Sequence, residues 1–271
     1  MGQKFGGAWT LIKLEILNKY LSFYTTALKR QSFKLCYIDA FAGSGEIHIR
    51  GRGKIPGSAI RALDYEFDKY IFIENDPKYA DLLWQRIQDH PAGNKATIYL
   101  GDCNDHLSQI CSFPWLKNNW RGVIFLDPYS LQVKWQSLEV ISKTRIFDVW
   151  YLFPFMALNR LLRRDKDISD SHRTIIDTVL GTDDWEKGIY SLSPQLSFFG
   201  EEYEKNNLEM VKKYILQQLK NVFHGVSPNA MTLRAVQTNT PLYLLCFATS
   251  NPSPKAIGLA LNGANYILTH T

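Results

Sequence analysis

The sequence predicts an α/β fold carried by a mostly parallel sheet that closes with a reversed hairpin. Three observations lead there. Short continuous apolar runs alternate with helical patterns over the first 150 residues, as parallel strands covered on both faces require. The last two strand-like runs, MTLRAVQ (231–237) and PLYLLCFAT (241–249), lie too close together for a crossover and suit an antiparallel pair. Several of the runs end in an acid or a glycine, at the edge where open α/β sheets bind ligands.

Residues 9 to 30 place Leu11, Leu14, Leu17, Leu21, Tyr24 and Leu28 at intervals of three and four, an amphipathic helix with cations at its C-terminal end. LCYID (35–39) reads as a buried strand that runs into a glycine loop. Ser58 then stands as the cap of a helix starting near Ala59. YIFIE (70–74) is the second strand, and Asp76-Pro77 is an N-cap and N1 pair opening a helix to about Asp89. ATIYL (96–100) and GVIFLD (122–127) are the third and fourth strands. A helix over 135–144 leads to the fifth, FDVWYLF (147–153). The polar, helical stretch over roughly 160–225 is too long for one crossover and reads as an insertion or cap.

With 271 residues, 45% apolar and 21% charged, the chain has the composition of one large soluble globule. Its N-terminus lacks an apolar signal core and no run is long enough to span a bilayer, so the reading is cytoplasmic, with no membrane. The cysteines at 36, 103, 111 and 246 are scattered without a CxxC pair, which argues against a disulfide framework or a zinc knuckle. No metal site is expected among the six histidines. A net charge of +5 permits an anionic partner such as nucleic acid without requiring one.

The loop Asp39-Ala40-Phe41-Ala42-Gly43-Ser44-Gly45 sits where strand one ends. Glycines there let backbone approach a ligand with no Cβ in the way. A nicotinamide-binding loop would need a third glycine where His48 stands, and no phosphate-binding lysine follows. Asp39 is a poor neighbour for a pyrophosphate and a good one for a cationic or amino-acid-bearing ligand. Taken singly, the glycines could be an ordinary turn, Glu74 a helix cap, and Asp102 or Asp127 a turn former. His48, Arg50, Arg52 and Lys54 extend the loop; they either grip phosphates or form a solvated lid. Arg160, Arg163, Arg164 and Lys166 read as a solvated helix end, and Trp150, Tyr151, Phe153 and Phe155 as core or as the wall of a base pocket.

DAFAGSG (39–45) resembles the first motif of class I S-adenosylmethionine-dependent methyltransferases, written D-x-F-A-G-x-G in their rRNA and DNA branches, and the reversed closing strand is the layout of that class. The resemblance implies a Rossmann-like, mostly parallel seven-stranded sheet in one domain over 1–271, with the helical insertion above. It assigns Asp39, Phe41 and the backbone of Ala42, Gly43, Ser44 and Gly45 to the methionine end of S-adenosylmethionine. Glu74, with Asn75 beside it, takes the ribose hydroxyls; Asp102, followed by Cys103, takes the adenine amino group. Amino-methylating members carry D/N-P-P-Y/F after strand four, where this chain has Asp127-Pro128-Tyr129-Ser130 with one proline fewer. Asp127 and Pro128 would accept from the target amine and Tyr129 would stack on a base, with adenine N6 in DNA or RNA favoured.

KLEILNKYLSFYTTAL, YIDAFAGSG, PGSAIRAL, FIEND and FLDPYS together resemble the three-Cys-motif partner (TcmP) family over residues 9 to 150, joined by the closing PLYLLCFATSNP. Relatives more commonly carry glycine where this chain has Ser130. That family implies a methyltransferase-like protein with a cysteine-motif partner protein. A competing reading is a cofactor-binding module that acts through its partner without catalysis.

Overall fold

The structure is a computed structural model that describes residues 7–49, 53–163, 166–192 and 203–271. Helix α1 (Ala8–Leu28) precedes strand β1 (Lys34–Asp39); a hairpin of β2 (Glu46–Ile49) and β3 (Gly53–Pro56) leads to α2 (Ser58–Ala62). Next come β4 (Lys69–Glu74), α3 (Pro77–Gln88), β5 (Ala96–Leu100), α4 (Cys103–Cys111), β6 (Trp120–Leu126), α5 (Trp135–Lys143) and β7 (Phe147–Phe153). After β7 follow α6 (Phe155–Leu161), α7 (Asp170–Leu180), α8 (Glu186–Ile189), β8 (Tyr190–Leu192), β9 (Tyr203–Lys205) and α9 (Leu208–Val222). The chain ends with β10 (Gly225–Val226), β11 (Met231–Arg234), β12 (Pro241–Thr249) and α10 (Pro254–Thr269).

The main sheet runs β5-β4-β1-β6-β7-β12, with β10 and β11 both paired to β12. The first five of these strands are parallel, and β12 is antiparallel to β7. This is the Rossmann-like order of the methyltransferases, as expected. One detail differs: the edge position that seven strands would fill with one is split in two. β10 pairs the end of β12 through Val226↔Ala248, and β11 pairs its start through Thr232↔Leu244. Pro228 falls in the gap and has no N–H for the ladder, so the pairing cannot run through.

The continuous apolar strands are explained by helices on both faces. Ile38, Ile71, Ile73, Ile124, Leu126 and Val149 pack into one core, alongside Leu107 of α4, Leu138 and Ile141 of α5, Ile176 of α7 and Ile215 of α9. The alternate residues Tyr37, Phe72, Val123, Phe125, Trp150 and Leu152 face the other way, onto α1, α3 and α10. Trp150, Tyr20 and Phe247 meet there with ring centroids 5.0–5.2 Å apart. Each such side chain contributes roughly 1.5–3 kcal/mol by burial. The aromatic run at 150–155 is therefore core and not a pocket wall.

Three local expectations change. Asp76 caps α3 through Lys78 N and Tyr79 N with Pro77 at N1, as read, but α2 starts at Ser58 with Gly57 as its cap, and the Ser58 hydroxyl turns inward onto Asp39. The glycine-bearing basic loop is a hairpin, pinned by Glu46 between Lys54 (2.9 Å) and Arg86 of α3 (2.5 Å). Its Arg50 and Arg52 lie outside the described residues, as does Arg164. The segment between β7 and β10 packs α7 and α9 against α5 and extends one core face. No helix among the described residues is long and apolar enough to cross a membrane.

Candidate functional site

β1 is the switch point of the sheet: the chain leaves it for β4 and β5 on one side and comes back for β6 and β7 on the other. Crevices form at the carboxyl ends of strands where the order reverses. A cavity of about 640 Å³ opens there. Phe41, Gly43, Glu74, Asn75, Asp102, Cys103, Asp127, Pro128 and Tyr129 line it, which gathers nine of the thirteen residues named from the sequence. Trp9, Lys13, Gln132 and Tyr243 line it too.

The loop after β1 is fixed by its own backbone. Ala40 N donates to Phe125 O and Ala42 N to Ile73 O, both at 3.0 Å, so it is stitched to both neighbouring strands. Gly43 (φ +62°) and Gly45 (φ +77°) take left-handed conformations that disfavour a side chain. They do so for different reasons. A Cβ on Gly45 would stand 2.8 Å from Leu83, whereas a Cβ on Gly43 would meet nothing of the protein within 4 Å. At Gly43 the left-handed backbone, not packing, favours glycine, and the residue lines the cavity.

Glu74 closes β4 and faces that loop. Its Oε2 accepts from Gly43 N at 2.7 Å and its Oε1 from Asp76 N at 2.8 Å. A carboxylate has about four acceptor positions, so each oxygen keeps one for a ligand. Asp102 caps α4: its Oδ1 accepts from Asn104 N at 2.8 Å and Asn104 Nδ2 at 3.0 Å. Asp76, and not Glu74, is thus the cap of α3, while Asp102 is both the cap of α4 and part of the cavity lining. Asn104 carries the tie onward to Gln132 O, Lys134 N and Ser137 Oγ, coupling the ends of β5 and β6. Cys103 lines the cavity as a neutral thiol, its pKa pushed up to about 12 by burial and then by Asp102. Bare backbone with two strand-end carboxylates fits a ligand bearing vicinal hydroxyls and an amino group.

Asp39 is not in the cavity. It is wholly buried beneath the loop, accepting from Phe41 N at 3.1 Å and from the Tyr37 hydroxyl at 3.4 Å, with Ser58 as a further donor. Burial raises its pKa to about 7, against the lowering effect of the Ser58 and Phe41 hydrogen bonds. The expected contact with a cofactor is corrected: Asp39 shapes the loop from behind. Ala42, Ser44 and Gly45 also lie off the lining, because the loop turns their side away from the cavity and toward α2 and α3; Ser44 O, for example, accepts from Arg86 at 2.7 Å.

At the far end of the cavity stands Asp127, just past β6. Its Oδ2 forms an ion pair with Lys13 of α1, 114 residues away, and the two side chains are only 16% and 7% exposed. Burial raises the Asp127 pKa while Lys13 pulls it back. Lys13 Nζ also lies 5.2 Å from the centre of the Trp9 ring, and Trp9 meets Tyr243 at 5.0 Å. Tyr129 is exposed at the rim, on a turn closed by Gln132 Oε1, which accepts from Tyr129 N at 2.9 Å and Ser130 N at 3.3 Å. The result is a partly buried carboxylate with aromatic faces around it. Sequence reasoning missed Lys13, Trp9, Gln132 and Tyr243. The signal for Lys13 was available: a cation sat on the apolar stripe of α1 between Trp9 and Leu17.

No protein-family model matches the chain, and no curated protein matches it. The TcmP resemblance therefore stands on the quoted motifs alone. Among solved structures the chain is similar to protein LPL1258 from Legionella pneumophila, with TM-score 0.52 and 13% identity over 96% of this chain and 92% of that one. It is more distantly similar to spermidine synthase from Thermotoga maritima (TM-score 0.42, 11% identity, 92% and 62% covered). A third is TYW2 from P. horikoshii in complex with MeSAdo (TM-score 0.39, 13% identity, 92% and 66% covered). The first likeness shows a shared fold; the other two are too distant for their chemistry to transfer.

Proposed function

We propose that the protein is an S-adenosylmethionine-dependent methyltransferase acting on an amino group of a nucleic-acid base, with adenine N6 favoured. The observation that carries this reading is the single cavity with bare Gly43 backbone, Glu74 and Asp102 at one end and Asp127 with Tyr129 at the other. S-adenosylmethionine brings a methyl group already activated on sulfonium, so the protein needs no nucleophile of its own. What remains for the chain is positioning and exclusion of water. Glu74 and Asp102 hold the nucleoside. Asp127 Oδ1 accepts from the target amine and turns its lone pair toward the methyl, and Tyr129 offers a face for the base.

A second reading has its own support. Lys13 already occupies one oxygen of Asp127, and the turn has one proline fewer than the amino-methylating pattern. Both suit a module that binds the cofactor and acts through a cysteine-motif partner without turnover. Calorimetry with S-adenosylmethionine, S-adenosylhomocysteine and NAD tests the shared part, and transfer of labelled methyl to mixed DNA and RNA separates the two readings. The first expects Asp127→Ala to abolish transfer while cofactor affinity stays nearly unchanged. Transfer that survives this substitution removes Asp127 from the assigned role.

A further inference from the structure

We propose that Lys13 is a specificity-determining residue of the acceptor site: its ammonium balances Asp127, so that the site takes a neutral aromatic amine and turns away an amine that is already cationic. This rests on the methyl-transfer reading and narrows the class of its substrate.

Lys13 points inward from α1 on the same face as Trp9, with a side chain 7% exposed. Among the described residues it is the ion-pair partner of Asp127 and binds Oδ2, and no described donor reaches Oδ1. The carboxylate therefore has its charge met on one oxygen and one acceptor open on the other.

Among the described residues, the other groups facing Asp127 add no cation. Asp39 and Tyr37 lie behind it on β1; Tyr243 faces it from β12 and Tyr129 follows it in the chain. The Tyr243 phenol is held neutral, its pKa pushed up to about 12 by burial and then by Asp127. Among the described residues, Lys13 is the cation that acts on Asp127.

Alkyl amines such as polyamines and lysine side chains arrive protonated near neutral pH. They have no free lone pair, and a lone buried carboxylate would attract them. A carboxylate already paired with a fixed ammonium offers them no net attraction, and Lys13 repels them at short range. The exocyclic amine of a base is neutral, donates one N–H to Oδ1, and carries a flat ring for Trp9, Tyr243 and Tyr129. The balance of the step follows. The amine nitrogen forms the new N–C bond with its lone pair, the C–S pair stays on sulfur, and the proton released from nitrogen passes to Asp127 and on to solvent.

The experiment compares wild type with K13M, K13Q and K13R. The first readout needs no turnover: the Asp127 carboxyl is followed by carbon NMR across pH with S-adenosylhomocysteine added, and assigned by its loss in D127N. Removing the cation should raise the Asp127 midpoint by roughly 1–3 pH units in K13M and K13Q, and K13R should restore it. The second readout is methyl transfer to adenine-containing single-stranded oligonucleotides, set against spermidine and a lysine peptide. Wild type should use only the oligonucleotides. K13M should lose rate at pH 7 through kcat more than KM, regain it at higher pH, and become open to inhibition by spermidine. An unshifted Asp127 titration in both neutral variants overturns the inference, as does methylation of spermidine or the peptide by wild type. Failure of S-adenosylhomocysteine to bind defeats the methyltransferase reading instead, while the titration still decides whether Lys13 controls Asp127. K13Q keeps the test open if K13M does not fold.

Discussion

Asp39 and Asp127 stand side by side at the carboxyl ends of adjacent parallel strands, with Asp39 in register with Phe125 two residues before Asp127. Their surroundings are opposite. Asp39 is sealed under the glycine loop, holds neutral donors, and forms no ion pair among the described residues, Lys13 acting on it only as the weakest of several influences. Asp127 keeps a face on the cavity and is balanced by Lys13. Two like residues at like positions therefore have different work, decided by what packs over them. A loop stitched across both neighbouring strands closes one. A helix from the N-terminus brings a charge to the other.

The widest separation between the two should come from removing the Asp127 carboxylate. Asp127→Ala leaves a buried ammonium without its partner, which typically costs about 3–5 kcal/mol. Urea denaturation of the apoprotein measures it, and Lys13→Met in the same chain should recover part of the loss, because the double variant buries no charge. If the double variant is no more stable than Asp127→Ala, the pair is not what holds α1 to β6.

Asp39 predicts a different pH signature. Its folded pKa of about 7 lies above the ordinary carboxyl value, so the folded chain binds the extra proton between those two points. Stability from this group is fully present at acid pH, declines as pH rises from about 4 toward 7, and levels off beyond, with a total of up to ~4 kcal/mol. Asp39→Asn should flatten that decline and be more stable than wild type at pH 8. Asp148, buried with the Tyr20 hydroxyl at 2.7 Å and raised to about 6 by burial, leaves a smaller slope of the same sign in both chains. A stability profile in wild type that rises from pH 5 to 8 would contradict both assignments.

The same contrast marks what the sequence made legible. FDVWYLF coincides with β7 because burial on both faces leaves almost only apolar residues to choose from, whereas ATIYL coincides with β5, a half-buried edge strand legible by its β-branched and aromatic residues. The acids at 74, 102 and 127 could be picked out because strand ends are local features of the chain. Lys13 could not be assigned to Asp127, since a contact across 114 residues depends on how α1 lies on the sheet. Nor could Asp39 be told from Asp127, because sealing is a property of the loop in three dimensions. Helices α4 and α10 went unread as well. α4 opens on the very acid taken for the cofactor, and Asp102 serves as its cap.

At the Glu74 end of the cavity the expected effects are smaller, because the contacts there are shared among several groups. Glu74→Ala removes one charged acceptor from the ligand and leaves Gly43 N and Asp76 N without their partner. Affinity for S-adenosylhomocysteine should fall by ~1–3 kcal/mol in calorimetry. An unchanged affinity would mean that the ribose hydroxyls go elsewhere.

Effects of similar or smaller size should divide the two glycines of the loop. Gly45→Ala must put a methyl 2.8 Å from Leu83 and 2.9 Å from Ile60, at a φ of +77°, so its cost falls on the fold: ~1–3 kcal/mol in denaturation. Gly43→Ala, at φ +62° in open space, pays only for the left-handed backbone, ~1–2 kcal/mol. Its methyl stands beside the cavity, so the larger part of its effect should appear as weaker binding of S-adenosylhomocysteine, measured on protein that is still folded. Equal binding losses in the two variants would mean that the bare backbone at Gly43 serves the turn and not a ligand, since only a ligand distinguishes a glycine with empty space beside it from one that is packed.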